Sequence, residues 1–239
     1  MYKILTLDKI NPQGLDHFPS ERYETGTGYT DPDAIILRSS NLHAMEFSPA
    51  TRAIARAGAG YNNIPVDRCA ERGIVVFNTP GANANGVKEL VLAGLLLASR
   101  DISGGITWVN TLVGQGDQVP PLIEKGKKNF AGSEILGKTL AVIGLGAIGV
   151  LVANAAQLLG MNVVGYDPYI SVTQAQKLSD KIHLARSLES ALSGADYVTL
   201  NIPLTSGTKE YIDKGKIMIM KNGVRILNFA RGELVNNTD

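Results

Sequence analysis

The sequence feature that most constrains the fold is a glycine motif in the middle of the chain. A short apolar run is followed by Gly144, Gly146 and Gly149, in the spacing G-x-G-x-x-G. The apolar run predicts a buried strand, and the segment 148–159 after it predicts a helix. A second apolar run then leads to Asp167. The succession of strand, turn, helix, strand and acid is far more specific than the three glycines alone.

Each part of this motif has a physical reason in the binding of a dinucleotide. Gly144 permits a tight turn, Gly146 lets a pyrophosphate approach bare backbone, and Gly149 lets the helix pack closely on the strand. The amides and the dipole at the helix start favour the phosphate charge. A carboxylate that binds a ribose 2′-hydroxyl is expected ~20 residues after the first glycine, and Asp167 lies close to that distance from Gly144. Because such an acid repels a 2′-phosphate, the motif predicts NAD rather than NADP.

Two other interpretations of this stretch are weaker. One is a glycine-rich structural turn in a different α/β protein. The other is a membrane helix, because no charged residue lies between Lys138 and Asp167. The three glycines and three side-chain amides in that interval argue against about 20 consecutive lipid-facing residues.

Composition excludes several classes of function. With 239 residues and a net charge of +1, the chain predicts one large or two small domains and gives no electrostatic case for nucleic acid or an anionic membrane. A single cysteine, Cys69, allows no disulfide framework within the chain. The first residues contain no long apolar segment typical of a secretory signal, so a soluble cytoplasmic protein is expected. No histidine or cysteine pair has metal-ligand spacing, so no metal is predicted.

Strands alternate with helices along the chain, which predicts parallel sheets whose ligands lie beyond the carboxyl ends of the strands. Four predicted strand ends carry suggestive residues: Arg38 with Ser39, Gly58 to Gly60, Thr79, and Arg231. Arg231 is the sharpest candidate, because a guanidinium binds a carboxylate bidentately and polarises a neighbouring carbonyl. A surface arginine is an equally good interpretation from position alone. For Gly58 to Gly60 a tight strand-to-helix turn is the simpler interpretation, and for Arg38 with Ser39 it is a polar strand end.

Oxidation of an alcohol also requires a base for the hydroxyl proton, usually a histidine. The chain has His17, His43 and His183. None follows a predicted strand of the nucleotide region with an acid placed to orient it. We therefore expect all three to be surface or capping residues.

Taken together, the motifs resemble the D-2-hydroxyacid dehydrogenases, and most closely the members of that family that act on phosphoglycerate. The matching segments cover nearly the whole chain in family order: LRSS (37–40), AGAGYNNI (57–64), VVFNTPGANANGVKEL (75–90), GKTLAVIGLGAIG (137–149), GYDPY (165–169), NIPLTSGTKEYI (201–212) and LNFARGELV (227–235). The resemblance implies two α/β domains with parallel sheets. Residues 1–98 would form a flavodoxin-like substrate domain, and residues 99–239 a Rossmann NAD-binding domain that is incomplete at its C-terminal end.

The resemblance also implies roles for individual residues. On the cofactor side, contacts with the NAD phosphates and the adenosine ribose would come from Ala147, Ile148 and Asp167. The nicotinamide side would be lined by Thr79, Ile202, Phe229 and Ala230. On the substrate side, Arg231 would be the catalytic arginine, the Ala59 and Gly60 amides would hold the carboxylate, and Arg38 with Ser39 would bind the phosphate.

The chain departs from the family pattern in two ways. The family's orienting Glu, its acid/base His and an acid that contacts the nicotinamide amide would all lie beyond Asp239, as would a returning helix of the substrate domain. Asn201 stands where many members carry His. We therefore expect the 239-residue chain alone to show little turnover.

The leading prediction is NAD-dependent oxidation of D-3-phosphoglycerate to 3-phosphohydroxypyruvate, the first step of serine biosynthesis. One alternative is another D-2-hydroxy acid as substrate. A second is an NAD-sensing relative without catalysis. The resemblance also implies a homodimer or homotetramer formed through the arm around residues 108–129. No nucleic acid or membrane partner is predicted.

Overall fold

The computed structural model describes all 239 residues as two compact units, Met1–Asn83 and Ala84–Asp239. The sequence predicts a boundary after residue 98, whereas the helix that follows Asn83 already belongs to the second unit. It belongs there because its Val91 and Leu95 side chains are fully buried in the core of that unit.

Five strands and two helices make up the first unit. They are β1 (Tyr2–Thr6), α1 (Pro12–Leu15), β2 (Tyr23–Gly26), β3 (Ala34–Leu37), β4 (Ala53–Arg56), α2 (Val66–Glu71) and β5 (Val75–Asn78). The strands form one parallel sheet in the order β2-β1-β3-β4-β5. This is the flavodoxin-like order, in which the sheet changes direction between β1 and β3. The predicted flavodoxin-like fold is therefore confirmed.

Local sequence accounts for the central strand and for the ends of α2. Ile35 and Leu37 alternate with less buried neighbours along β3 and pack with the buried Cys69 of α2. Helix α2 starts directly after Pro65, whose ring fixes φ near the value a helix needs. It stops before Gly73, whose φ of 69° a residue with a side chain rarely adopts.

Five strands and seven α-helices make up the second unit. In chain order they are α3 (Ala84–Ser99), α4 (Ile102–Asn110), α5 (Val119–Gly126), β6 (Thr139–Ile143), α6 (Ala147–Leu158), β7 (Asn162–Tyr166), α7 (Val172–Ala175), β8 (His183–Leu184), α8 (Leu188–Leu192), β9 (Tyr197–Leu200), α9 (Lys214–Met218) and β10 (Arg225–Asn228). The sheet is parallel throughout, in the order β10-β9-β6-β7-β8. Counted from its own first strand, this is the Rossmann order 5-4-1-2-3, so the Rossmann prediction is also confirmed.

Strand β6 lies at the centre of this sheet and is covered on both faces. Leu140 and Val142 point into a core shared with α3 and α6. Ala141 and Ile143 point into a second core shared with α8. Because both faces of the strand are buried, its sequence is a continuous apolar run rather than an alternating one.

The segment 108–129, which the sequence predicts as a polar arm or connector, is largely helical. It contains the end of α4 and all of α5, and the ring of Trp108 stacks on that of Phe130 with centroids 5.2 Å apart. Across the whole protein, no single helix has the length and apolar character needed to cross a membrane. Helices α3 and α4 meet that criterion only as a pair, with a 72° bend between them.

Candidate active site

The sheet of the second unit changes direction between β6 and β9, and open α/β sheets bind ligands beyond the carboxyl ends of their strands at such a point. The chain leaves β6 through Gly144, which has a φ of 89°. A Cβ on Gly144 would lie 2.7 Å from the carbonyl oxygen of Asn201, and a Cβ on Gly149 would lie 1.8 Å from the carbonyl oxygen of Gly144. These two glycines are therefore required because backbone packs directly on backbone.

Gly146 lies between them in a different environment. It is exposed, and a Cβ built on it would meet no atom within 4 Å. It is also the N-cap of α6, and no side chain caps the first turn at Ala147 and Ile148. Because the first amides of a helix need acceptors and its dipole favours negative charge, an anion can take the place of the missing cap. Bare backbone at the start of a 12-residue helix fits the pyrophosphate of a dinucleotide.

Asp167 follows β7 and is directed back at the glycine turn. Its Oδ2 accepts the Leu145 N–H at 2.9 Å, and its Oδ1 accepts the Tyr169 N–H at 2.8 Å. A carboxylate has about four lone-pair sites, so each oxygen can still accept a hydroxyl. The arrangement keeps the carboxylate beside the turn while leaving capacity for a ribose diol.

The surroundings of Asp167 carry further negative charge. Burial raises the pKa of the Tyr211 hydroxyl, and the nearby Tyr166, Glu189 and Asp167 groups raise it further. Glu189 and Asp167 thus both act on the Tyr211 hydroxyl. A 2′-phosphate would be repelled by the Asp167 carboxylate, whereas a 2′-hydroxyl would not.

A short turn after β10 orients Arg231. The Asn228 side chain holds it from two sides, since its Nδ2 donates to the Arg231 carbonyl at 2.6 Å and its Oδ1 accepts the Ala230 N–H at 3.1 Å. The Arg231 guanidinium donates to the Ala230 carbonyl at 2.8 Å and forms no ion pair. A half-buried guanidinium without a carboxylate partner is suited to binding the carboxylate of a ligand.

The remaining predicted residues of this unit lie at the same end of the sheet. Ile202 follows β9, and its Cγ2 is 2.8 Å from the position that a Cβ on Gly144 would take. Phe229 follows β10, with its ring against Gly94 of α3. The ends of β6, β9 and β10 thus bring together the glycine turn, Ile202 and the Phe229–Arg231 segment, as the sequence predicts.

The first unit has a cavity of its own at the carboxyl ends of its strands. Its volume is about 470 Å³, and its lining is Arg38, Ser39, Arg56, Ala57, Gly58, Thr79, Ala82 and Asn83. The structure therefore brings together residues that the sequence singles out at three separate strand ends: Arg38 with Ser39, Gly58, and Thr79. It adds a second guanidinium, that of Arg56, which makes the cavity suited to an anion.

Two backbone N–H groups beside this cavity have no acceptor within the chain. The Ala59 and Gly60 amides donate to no other group of the chain, while the Ala59 carbonyl accepts the Asn78 Nδ2 at 2.7 Å. Gly58 has a φ of 156°, and a Cβ on it would lie 2.1 Å from the Arg56 Nη1. The turn is thus fixed by Asn78 on one side and leaves its amides available to a carboxylate.

Three residues that organise these sites are missing from the sequence interpretation: Asp8, Arg56 and Asn228. Asp8 and Arg56 stand directly beyond or at the carboxyl ends of predicted strands, which is the signal that could have drawn attention to them. Asn228 gives no such signal, because its role depends on the turn that it closes.

No group of three or more His, Cys, Asp or Glu side chains is arranged to hold a metal ion. The three histidines are exposed, and none lies at the glycine turn or in the Arg38 cavity. His43 contacts the Asn62 carbonyl at 3.0 Å, and His183 lies on the edge strand β8.

Comparison with known proteins identifies the family. Residues 92–239 match the family model described as D-isomer specific 2-hydroxyacid dehydrogenase, NAD binding domain. The chain belongs to the D-2-hydroxyacid dehydrogenase family. The matched segment contains the glycine turn, Asp167 and Arg231, and NAD is the cofactor of this domain. The resemblance inferred from the sequence and the prediction of NAD are both confirmed.

Curated members of the family are similar along most of the chain. A D-3-phosphoglycerate dehydrogenase of Methanocaldococcus jannaschii is 34% identical over 252 aligned residues, covering 99% of this chain and 45% of the relative. A hydroxypyruvate reductase of Thermotoga maritima is 35% identical and is matched over 85% of this chain and 62% of its own length. The chain thus spans about half the length of these dehydrogenases.

A solved structure gives the same result in three dimensions. The NAD⁺-bound 3-phosphoglycerate dehydrogenase of Entamoeba histolytica superposes with a TM-score of 0.74 at 26% identity. The match covers 99% of this chain and 74% of the E. histolytica chain. Both units of the present fold therefore belong to the dehydrogenase architecture.

Proposed function

We propose that the protein catalyses the NAD-dependent oxidation of D-3-phosphoglycerate to 3-phosphohydroxypyruvate, the entry to serine biosynthesis. The observation that carries this choice of substrate is the cavity of the first unit, where Arg38 and Arg56 present two guanidinium groups beside Ser39. An unphosphorylated monocarboxylic acid such as lactate or glycerate has no second anionic group for these two cations to bind. Relatives named D-3-phosphoglycerate dehydrogenase support the same choice.

In this proposal the second unit binds NAD. The start of α6, with the amides of Ala147 and Ile148, accommodates the pyrophosphate against Gly146. Asp167 accepts the hydroxyls of the adenosine ribose, and Ile202, Phe229 and Ala230 lie on the nicotinamide side. NAD supplies the acceptor for the hydride that leaves C2 of the substrate.

The first unit binds the substrate. Arg38, Ser39 and Arg56 hold the phosphate, the free amides of Ala59 and Gly60 accept the carboxylate, and Thr79 lies on the nicotinamide side. Arg231 binds the carboxylate and polarises the developing carbonyl, and it keeps this orientation because Asn228 fixes the turn beneath it.

A proton acceptor completes the chemistry. None of the three histidines of this chain lies at a strand end of the site, so we propose that the base is the family's histidine, in a segment that follows residue 239 in the full-length protein. The 239-residue chain would then bind NAD but turn over slowly.

The test is a steady-state assay of the full-length protein with NAD and a panel of D-2-hydroxy acids: 3-phosphoglycerate, glycerate, lactate and 2-hydroxyglutarate. We expect kcat/KM to be highest for 3-phosphoglycerate. Replacing Arg38 by Ala should lower kcat/KM for this substrate by about 100-fold or more, since a charge-assisted bond to phosphate contributes about 3 kcal/mol.

Arg52→Ala is the matched control. Arg52 is an exposed arginine at the amino end of β4, the strand that carries Arg56 at its other end. The control should retain the wild-type preference. A preference for an unphosphorylated acid, or equal losses for all substrates in Arg38→Ala, would contradict the proposed substrate.

The relative named hydroxypyruvate reductase gives a specific reason to keep a second candidate, a dehydrogenase of unphosphorylated D-2-hydroxy acids. In that case Arg38→Ala would leave the best substrate unaffected. NAD binding by the full-length protein without turnover of any acid would instead favour a sensor role.

We also propose a homodimer or homotetramer formed through the helical arm. The side chains of Ile106, Val109 and Val113 are 61%, 47% and 83% exposed along α4 and the turn after it. Exposed apolar patches on a soluble enzyme mark contact surfaces. Light scattering should give a multiple of the chain mass, and Ile106→Glu should shift it towards the monomer; a monomeric wild type would rule out this assembly.

A further inference from the structure

Asp8 lies at the point where the sheet of the first unit changes direction, just beyond β1. It is one of two non-glycine residues with positive φ, at 65°. Its Oδ2 accepts three consecutive backbone N–H groups, those of Arg38 at 2.8 Å, Ser39 at 3.0 Å and Ser40 at 3.0 Å. Its Oδ1 accepts the Ser40 hydroxyl at 2.9 Å. One carboxylate therefore organises the entire loop after β3.

Successive amides that converge on one point form an anion-binding concavity, which in many proteins takes up a phosphate. Here an internal carboxylate already fills it. The amides of this loop are therefore committed to Asp8, and what remains for a ligand is the side chains of Arg38 and Ser39. Partial burial acts to raise the pKa of Asp8, but the four hydrogen bonds outweigh it and lower the pKa to about 2. The carboxylate is therefore ionised at neutral pH.

The opposite side of the same loop is held as well. The Arg38 carbonyl accepts the Arg56 Nε at 3.0 Å and the Asn63 Nδ2 at 3.2 Å, and the Ser40 carbonyl accepts Asn63 at 2.8 Å. The loop is thus clamped between a carboxylate on its amide side and two donors on its carbonyl side. Arg56 is both a clamp of the loop and part of the cavity lining.

We propose that Asp8 is a positioning residue for substrate binding, which fixes the 38–40 loop so that Arg38 and Ser39 are presented to the cavity that Arg56 also lines. Asp8 itself does not contact the substrate. This inference rests on the proposed function, because it assigns the loop to the phosphate end of the substrate site.

The sign of the effect separates positioning from simple electrostatics. Removing a negative charge near a phosphate would tighten phosphate binding if charge alone mattered. Weaker bonds to the three amides would instead loosen the loop and weaken binding, because a site that shifts by about 1 Å loses much of its affinity.

The experiment replaces Asp8 by Asn in the full-length protein. Asn tolerates the left-handed backbone and keeps one acceptor oxygen for the loop amides. The change therefore removes the charge and weakens the charge-assisted bonds without new backbone strain. We expect the KM for 3-phosphoglycerate to rise about tenfold while kcat changes less than about threefold. Ser40→Ala, which removes only the hydroxyl bond, should raise KM about twofold and serves if Asp8→Asn does not fold.

Asp33→Asn is the matched control. The Oδ2 of Asp33 accepts the Lys3 N–H at 2.8 Å and so joins β1 and β3 in the same way, but at the amino end of the sheet. It should leave KM at the wild-type value. Native-state hydrogen exchange gives a readout that needs no turnover: the amides of residues 38–40 should exchange faster in Asp8→Asn and at the wild-type rate in Asp33→Asn.

An unchanged or lowered KM in Asp8→Asn would overturn the inference, as would equal increases in Asp8→Asn and Asp33→Asn. If the wild-type protein prefers an unphosphorylated acid, the proposed substrate fails, and the inference about Asp8 is then judged on the KM for that acid. The two failures are distinguished because the first is read from wild-type substrate preference and the second from variant-to-wild-type ratios.

Discussion

The two units build their proposed ligand sites where a parallel sheet changes direction, but they do so by opposite means. Beyond β6 the second unit removes side chains, so that the turn of Gly144 to Gly149 offers bare backbone. Beyond β3 the first unit uses side chains, since Asp8, Arg56 and Asn63 fix a loop whose amides are already occupied. The first device suits a ligand common to many enzymes, and the second suits a ligand that must be distinguished from close analogues.

The difference teaches where mutations should act. At Gly144 and Gly149 backbone packs directly on backbone, so a side chain there would disturb folding as well as ligand binding. At Gly146 no atom lies within 4 Å, so a side chain there would affect ligand binding alone. In the Arg38 loop, single side chains can be changed while the sheet stays intact. Four glycine substitutions and a measurement of stability against pH test this contrast, with the largest expected effect first.

Gly149→Ala should have the largest effect, on folding itself. The new Cβ would lie 1.8 Å from the Gly144 carbonyl oxygen, and neither backbone can move without separating α6 from β6. We expect the free energy of unfolding in urea to fall by about 3 kcal/mol or more. A stable Gly149→Ala protein would show that the helix does not need this close approach.

Gly146→Ala should act on the cofactor alone. Its Cβ would meet no protein atom within 4 Å, so the free energy of unfolding should change by no more than about 1 kcal/mol, the cost of a poorer N-cap. The dissociation constant for NADH, followed by its fluorescence, should rise about tenfold or more, because the methyl group enters the space proposed for the pyrophosphate. Unchanged affinity would place the phosphates elsewhere.

Gly58→Ala should act on substrate binding in the first unit. At a φ of 156° the new Cβ would lie 2.1 Å from the Arg56 guanidinium, which can swing away from the cavity because it ends a flexible side chain. We expect a loss of about 1 kcal/mol in stability and an increase of about fivefold in the KM for 3-phosphoglycerate.

Gly73→Ala is the control for that change. Gly73 has a φ of 69°, but a Cβ there would touch nothing. It should show a similar stability loss with an unchanged KM. A parallel rise in KM for both variants would mean that strain, rather than Arg56, is responsible.

The smallest expected effect is on the stability of the protein at acidic pH. The folded-state pKa of Asp8, about 2, lies below its usual value of 3.8, so its stabilisation is fully present above that usual value and is lost as the pH falls through about 2. The stability difference between wild type and Asp8→Asn should therefore be constant above about pH 5 and shrink between about pH 4 and 2. Urea unfolding at a series of pH values measures it. A difference that grows on acidification would contradict the assigned hydrogen bonds.

Residues whose role depends on neighbours in the chain could be predicted from the sequence. The segment from β6 to β7 was predictable because apolar runs, glycine spacing and the acid all lie within about 25 residues, where local rules apply. Strand β3 also has a local signal, since its apolar run AIIL is flanked by polar residues.

Residues whose role depends on pairing across the chain could not be predicted. Strands β2 and β8 lie at sheet edges, and their YETG and HL sequences carry little apolar signal. The helices α4 and α5 contain glycines and prolines, which have low helix propensity, so the sequence does not predict them as helices. Tertiary contacts such as the stacking of Trp108 on Phe130 outweigh this low propensity. Helix α3 looks apolar nearly all round, yet Leu90, Leu96 and Leu97 are about half exposed. Asp8 could not be linked to Arg38, because only the β1–β3 pairing brings them together.

The uncapped start of α6 has a consequence for the protein in the cell. Since no side chain of the protein closes that first turn, a bound dinucleotide supplies the closure and adds RT ln(1 + [L]/Kd) to the free energy of unfolding, about 2.7 kcal/mol at a hundredfold excess over Kd. The melting temperature and the resistance to proteolysis of the second unit should thus rise with the concentration of NAD, so that the abundance of the protein is tied to the supply of its cofactor.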